Sequence, residues 1–115
     1  MDIEKAREVA LSMVGVTEDQ PFGPDVVTFR IGGKIFMAIS LDSIDPKITI
    51  KLESDYSVEL REKYESIQPA FHWNKKYWND VYLDLLNNDM VEDLIRRSYH
   101  IVFDSLPKKV KETIK

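Results

Sequence analysis

At 115 residues, with 43% hydrophobic and 31% charged, the chain is long enough for one domain around one core and too apolar to be disordered. It has no cysteine, which excludes disulfides, thiolate metal sites and a cysteine nucleophile, and its net charge of −4 is the wrong sign for a simple nucleic-acid binder. The start Met1-Asp2-Ile3-Glu4-Lys5 is acidic rather than signal-like, and no apolar run approaches the roughly 20 residues of a membrane span, so a soluble cytoplasmic protein is expected.

Ile3, Ala6, Val9, Ala10, Met13 and Val14 recur at helical spacing and predict a first helix over 2–14. Asp2 suits its N-cap and Gly15 its stop. Pro21-Phe22-Gly23-Pro24 forces turns, and Phe22 is expected to anchor that loop to the core.

From Val26 to Leu52 the pattern changes to alternation, the period of a strand. Val26–Ile31 and Lys34–Leu41 flank Gly32-Gly33, a two-residue link that accepts positive φ and marks a tight hairpin. Asp42–Pro46 turns the chain into a third strand, Lys47–Leu52. One face of this meander is aliphatic and aromatic. The other is expected to carry Thr28, Arg30, Lys34, Lys47, Thr49 and Lys51, with Phe36 among them.

A shorter helix is predicted over Ser54–Tyr64, capped by Ser54, with Tyr56, Leu60 and Tyr64 at four-residue steps. Phe71-His72 reads as the start of a fourth strand, Asn74–Trp78 as a turn and Asp80–Leu83 as a fifth strand. The longest helix is predicted over Asp89–Leu106, with Asp89 and Glu92 spaced as a capping box and Pro107 as its stop. The basic tail from Lys108 to Lys115 reads as a solvated end. The predicted order is α-β-β-β-α-β-β-α in a single domain spanning 1–115. An antiparallel sheet with helices on its apolar face is an α+β two-layer sandwich.

Charge is unevenly spread. Residues 26–52 hold four bases against two acids, and residues 53–70 hold two against five. The expected strands are therefore basic and the expected helices acidic. The stretch from Phe71 to Leu83 adds both tryptophans, an adjacent lysine pair and one of two histidines. Lys75 and Lys76 suit phosphates, Asn74 and Asn79 offer donors and acceptors, and Trp73, Tyr77 and Trp78 offer flat surfaces for bases. Alternation puts Trp78 with the structure and leaves Trp73 partly exposed. His72 has no serine in a nucleophile-elbow pattern to act on, and His72 with Asp80 and Asp84 is a thin ligand set. No catalytic residue, metal or cofactor is assigned.

Pro21-Phe22-Gly23-Pro24, Val27–Phe36, His72–Leu83, Ser98-Tyr99 and Leu106-Pro107-Lys108-Lys109, taken in this order, resemble the MmcQ/YjbR family of small bacterial proteins. The resemblance covers nearly the whole chain. It implies a frataxin-like (CyaY-like) sandwich, DNA binding, and His72, Asn74, Lys75, Lys76 and Trp78 as the motif core. The chain departs from the family pattern at Trp73, where methionine is usual, and at Tyr77, where histidine is usual. The expectation is a monomer that binds DNA weakly, mainly through phosphates. Its contacts would be Arg30, Lys34, Lys47 and Lys51 on the sheet and His72, Trp73, Asn74, Lys75, Lys76 and Trp78 in the motif. The alternative is a non-enzymatic protein-interaction or regulatory module without nucleic-acid contact.

Overall fold

The alternating run after Val26 folds as three consecutive antiparallel strands, β2 (Val26–Ile31), β3 (Lys34–Ser40) and β4 (Lys47–Lys51). The computed structural model describes residues 1–114. Three further strands complete one sheet: β1 (Thr17–Asp19), β5 (Ile67–Pro69) and β6 (Trp78–Tyr82). The order across the sheet is β1-β2-β3-β4-β6-β5, every pair antiparallel. The strand expected to begin at Phe71-His72 is instead β5, Ile67–Pro69, and Phe71-His72 lie in a loop. β1 has no apolar alternation to announce it; it forms by pairing Thr17–Asp19 with Thr28–Arg30.

The helices are α1 (Ile3–Leu11), α2 (Ser54–Lys63), α3 (Asn88–Ser105) and α4 (Lys108–Thr113). Asp2 caps α1 by accepting from the Lys5 amide at 2.8 Å. α3 is capped by Asn87, whose Oδ1 accepts from the amides of Asp89 and Met90, so the Asp89–Glu92 capping box does not form. α2 begins after Glu53 with no side-chain cap, so Ser54 is its first helical residue. No helix among the described residues is long and apolar enough to cross a membrane.

Helices α1, α2 and α3 lie on one side of the sheet. Ala6, Val9 and Ala10 of α1 and Val91, Leu94, Ile95 and Val102 of α3 are buried, the i, i+3, i+4 stripes of amphipathic helices. They meet Phe29, Met37, Ile39, Ile48, Ile50 and Val81, a cross-strand set fixed by the register Phe29↔Met37↔Ile50 and Ile39↔Ile48↔Val81. Each such side chain removed from water contributes about 1.5–3 kcal/mol.

A β-bulge changes which residues share a face. The register steps from Phe29↔Met37 to Arg30↔Ile35, which leaves Phe36 unpaired. Phe36 is fully buried and packs edge-on against Tyr99 of α3, ring centroids 5.5 Å apart. Ile35 takes the position opposite Arg30, and Lys34 pairs with Ile31 at the hairpin tip. The outward face therefore has neither Phe36 nor Lys34. Strict alternation assigned both to it.

The basic tail is helical over Lys108–Thr113 but buries no residue of that helix, so Lys108 and Lys109 stay solvated as expected; Lys115 lies outside the described residues. α4 docks on the glycine hairpin: Gly32 has φ +57, and a Cβ there would come within 2.7 Å of Leu106 and 3.0 Å of Val110. Only glycine meets both the turn conformation and this contact.

Candidate functional site

Among the described residues, no helix covers the outward face of the sheet. Its central row is Thr28, Ala38, Thr49, Asp80 and Gln68, one from each of five neighbouring strands. Two loops fold over this row. One holds Phe22; the other runs from Ala70 to Tyr77 and holds Phe71, His72 and Trp73. Between loops and sheet lies a half-open cavity of about 380 Å³. Phe22, Phe71, His72 and Trp73 form its walls, and Ala38, Lys47, Thr49 and Asp80 are among the strand residues beneath.

The aromatic wall is built by stacking. Trp73 lies on Trp78 of β6, centroids 4.6 Å apart and planes tilted by 34°. Phe22 meets Trp73 edge to face at 6.3 Å. Phe22 is 62% exposed and Phe71 70% exposed. Phe22 is thus no core anchor; it packs on Trp73 above the sheet and stays open to solvent. Trp73 and Trp78 are both half-buried.

The polar groups of the floor hold one another in place. Thr49 Oγ1 donates to Asp80 Oδ1 at 2.7 Å, and Lys47 Nζ lies 3.4 Å from Asp80 Oδ2. Lys47 is therefore neutralised. Arg30 is likewise bound to Asp19, at 3.1 Å, and donates to the Gly33 carbonyl. Two of the four strand cations expected to face a polyanion are occupied by carboxylates, and a third, Lys34, is on the hairpin tip.

The remaining cations gather beside the aromatic wall. Lys51 and Lys76 approach the ring of Tyr77 at 5.9 and 5.5 Å, and Lys75 approaches that of Phe71 at 5.4 Å. None of these lysines makes an ion pair among the described residues. Across the same face, a second cavity of about 410 Å³ is lined by Asp45, Glu65 and Asp84 with Gln68, Tyr82 and Leu85. One end of the sheet face is thus basic and aromatic, the other acidic.

The loop's shape is held from below. Asn74 closes it: its Oδ1 accepts from the Lys76 amide, and its carbonyl accepts from the amides of Tyr77 and Trp78. Asn79 points to the helix side and is fully buried, so it offers nothing to a ligand. It donates to Ser57 Oγ at 2.9 Å and accepts from Arg61 Nε at 2.7 Å. Arg61 also donates to the carbonyls of Lys75 and Trp78. Burial draws the Arg61 pKa below its ordinary value.

His72, Trp73, Lys75, Lys76, Trp78 and Lys51 are therefore brought together, with Asn74 as their turn residue. Sequence reasoning missed Phe22, Phe71, Thr49, Asp80 and Arg61 as parts of the site. Phe22 carried a local signal, an aromatic side chain held between two prolines, and alternation had put Thr49 on the outward face; the part played by Arg61 depends on contacts distant in the chain.

Comparison with known proteins agrees with this architecture. The YjbR family model matches residues 11–101. The uncharacterized protein YbdF of Escherichia coli O157:H7 is 36% identical over 113 residues, which span 97% of this chain and 93% of YbdF. The uncharacterized protein YjbR of Escherichia coli K12 is 27% identical over 70 residues, 60% of this chain and 59% of that protein. Crystal structures of the DUF419-domain protein DR2400 of Deinococcus radiodurans and of a Pseudomonas syringae protein superpose with TM-scores of 0.91 and 0.76. The first covers 97% of this chain and 86% of its own, the second 88% and 98%; each is 24% identical, a likeness of fold. By the extent of the family match and the identity to YbdF, the chain belongs to the YjbR family.

Proposed function

We propose that this protein is a nucleic-acid-binding module that takes a single strand across the open sheet face. The observation that carries the reading is the aromatic stack of Phe22, Trp73 and Trp78, on a sheet face free of helices, beside the unpaired Lys51, Lys75 and Lys76. Unstacked bases have flat faces for Phe22, Phe71 and Trp73, each contact worth ~1–3 kcal/mol. The lysines supply phosphate contacts. A rigid duplex fits less well, because its bases are already stacked and Arg30 and Lys47 are neutralised. The acidic cavity around Asp45, Glu65 and Asp84 repels phosphates and confines the strand to the basic end.

The test is a titration of a fluorescein-labelled strand and the matching duplex at low salt. The strand is expected to bind more tightly, with a log–log salt slope of roughly −2 for three phosphate contacts. Lys75→Glu/Lys76→Glu removes most of that slope. Equal or tighter binding of duplex, or binding indifferent to both salt and the double variant, overturns the reading. The second of those results would favour a protein-interaction module using the exposed Phe22 and Phe71.

A further inference from the structure

The cavity between Trp73 and Asp80 is more specific than a stacking surface needs to be. At about 380 Å³ it is near the lower end of small-ligand pockets, which span ~300–1,000 Å³. That is room for one ring system, not an extended strand. Its walls suit the faces of a planar ring, and its floor suits one edge of that ring.

We infer that this cavity accepts a single guanine base, read by Asp80 and Lys47. An ionised carboxylate has about four lone-pair positions. Thr49 and Lys47 use one on each oxygen of Asp80, which leaves one on each oxygen. Two parallel acceptors are the complement of two adjacent N–H donors. The Lys47 ammonium has three donors and spends one on Asp80, so it still offers N–H to a neighbouring carbonyl. The floor therefore presents acceptor, acceptor and donor in sequence. Guanine, with N1–H and N2–H next to O6, is the standard base with that edge reversed. Adenine and cytosine place only one N–H group beside an acceptor, and uracil flanks its single N–H with two carbonyls. The Lys47–Asp80 pair is also neutral as a unit, which favours an uncharged base over a charged ligand. Phe22 and Trp73 enclose the ring, and Trp73 senses its arrival.

The inference rests on the strand-binding reading for the source of the base, but its test is separable. Tryptophan emission is followed while GMP, AMP, UMP or CMP is added to the protein. GMP is expected to quench with a dissociation constant at least about fivefold below the others, since a bidentate edge contact is worth about 1–3 kcal/mol of discrimination. In a second arm, a dT strand with one central dG is compared with the all-dT strand, and the dG strand is expected to bind more tightly. Asp80→Asn, which turns one acceptor into a donor, is expected to abolish the GMP preference. Circular dichroism checks that this variant folds, and the wild-type selectivity stands as a readout without it. Equal response to all four nucleotides, or to none, overturns the guanine site. Strand binding with no base preference overturns it while leaving the strand reading intact. GMP selectivity without strand binding supports the pocket and removes the strand reading.

Discussion

Arg61 Nε donates to Asn79 Oδ1 at 2.7 Å, from the last turn of α2 to the buried side of β6. The same guanidinium reaches the carbonyls of Lys75 and Trp78. One planar fork thus joins a helix, a central strand and the loop bearing the aromatic wall, and through Trp78 it sets the surface on which Trp73 stacks. A flexible ammonium lacks that fixed geometry.

Arg61→Ala is expected to cost about 1–3 kcal/mol, because Asn79 Oδ1 and the carbonyls of Lys75 and Trp78 lose a donor, two of the three in a part-buried setting. The loop should also loosen. Urea denaturation measures the first effect, and a red shift of tryptophan emission in the folded state measures the second. Arg61→Lys should restore little of either. Unchanged emission in a destabilised variant would mean that the loop keeps its shape without the fork.

Ser98 of α3 bridges two strands. Its Oγ donates to the Phe36 carbonyl at 2.5 Å and accepts from the Lys51 amide at 2.9 Å. The β3–β4 register runs only from Ile39 to Met37, so the hydroxyl replaces the next rung beside the bulge. Ser98→Ala leaves both backbone groups short of a partner and is expected to cost about 1–3 kcal/mol. Hydrogen exchange at the Lys51 amide should accelerate. A loss under about 0.5 kcal/mol, the size of an ordinary surface change, would show the bridge to be dispensable.

Phe22→Ala separates binding from stability. With its ring 62% exposed, its loss should change folding stability by no more than about 0.5 kcal/mol. The same change should weaken strand binding by about 1–3 kcal/mol if one base stacks there. Fluorescence anisotropy gives the affinity and a thermal melt gives the stability. Full retention of affinity would place the strand elsewhere.

The Glu53–Arg97 pair makes stability fall in acid. Arg97 donates to both Glu53 oxygens, at 2.9 and 3.1 Å, and this holds the Glu53 carboxyl below its ordinary pKa. A folded pKa below the unfolded value of ~4.3 gives stability that is complete above that value and is lost as pH falls through the folded pKa. The pair is about half exposed, so solvent screening limits the effect to ~0.2–1 kcal/mol. Glu53→Gln should lower the urea midpoint at pH 7 and remove this part of the drop toward pH 3. A variant with the same drop as wild type would assign the acid sensitivity to other carboxylates.

Most of what a local period carries was legible in the residues alone. Alternation from Val26 to Leu52 placed three strands, the glycine pair placed their hairpin, the 3.6-residue stripe placed α1 with its buried Ala6, Val9 and Ala10, and Pro107 placed the end of α3. These patterns are legible because each residue's face follows from its own neighbours in the chain. Tertiary structure decided whatever depended on a partner far along the chain. The bulge that turns Phe36 inward answers to Tyr99 and Ser98. β1 exists only as a mate for β2, and β6 lies between β4 and β5, which precedes it in the chain. The charge of the open face was decided the same way. Asp19 lies 11 residues from Arg30 and Asp80 lies 33 from Lys47, and only folding brings each carboxylate onto its cation. A pattern of residue types shows where charge can stand; the pairing across strands sets how much of it stays free.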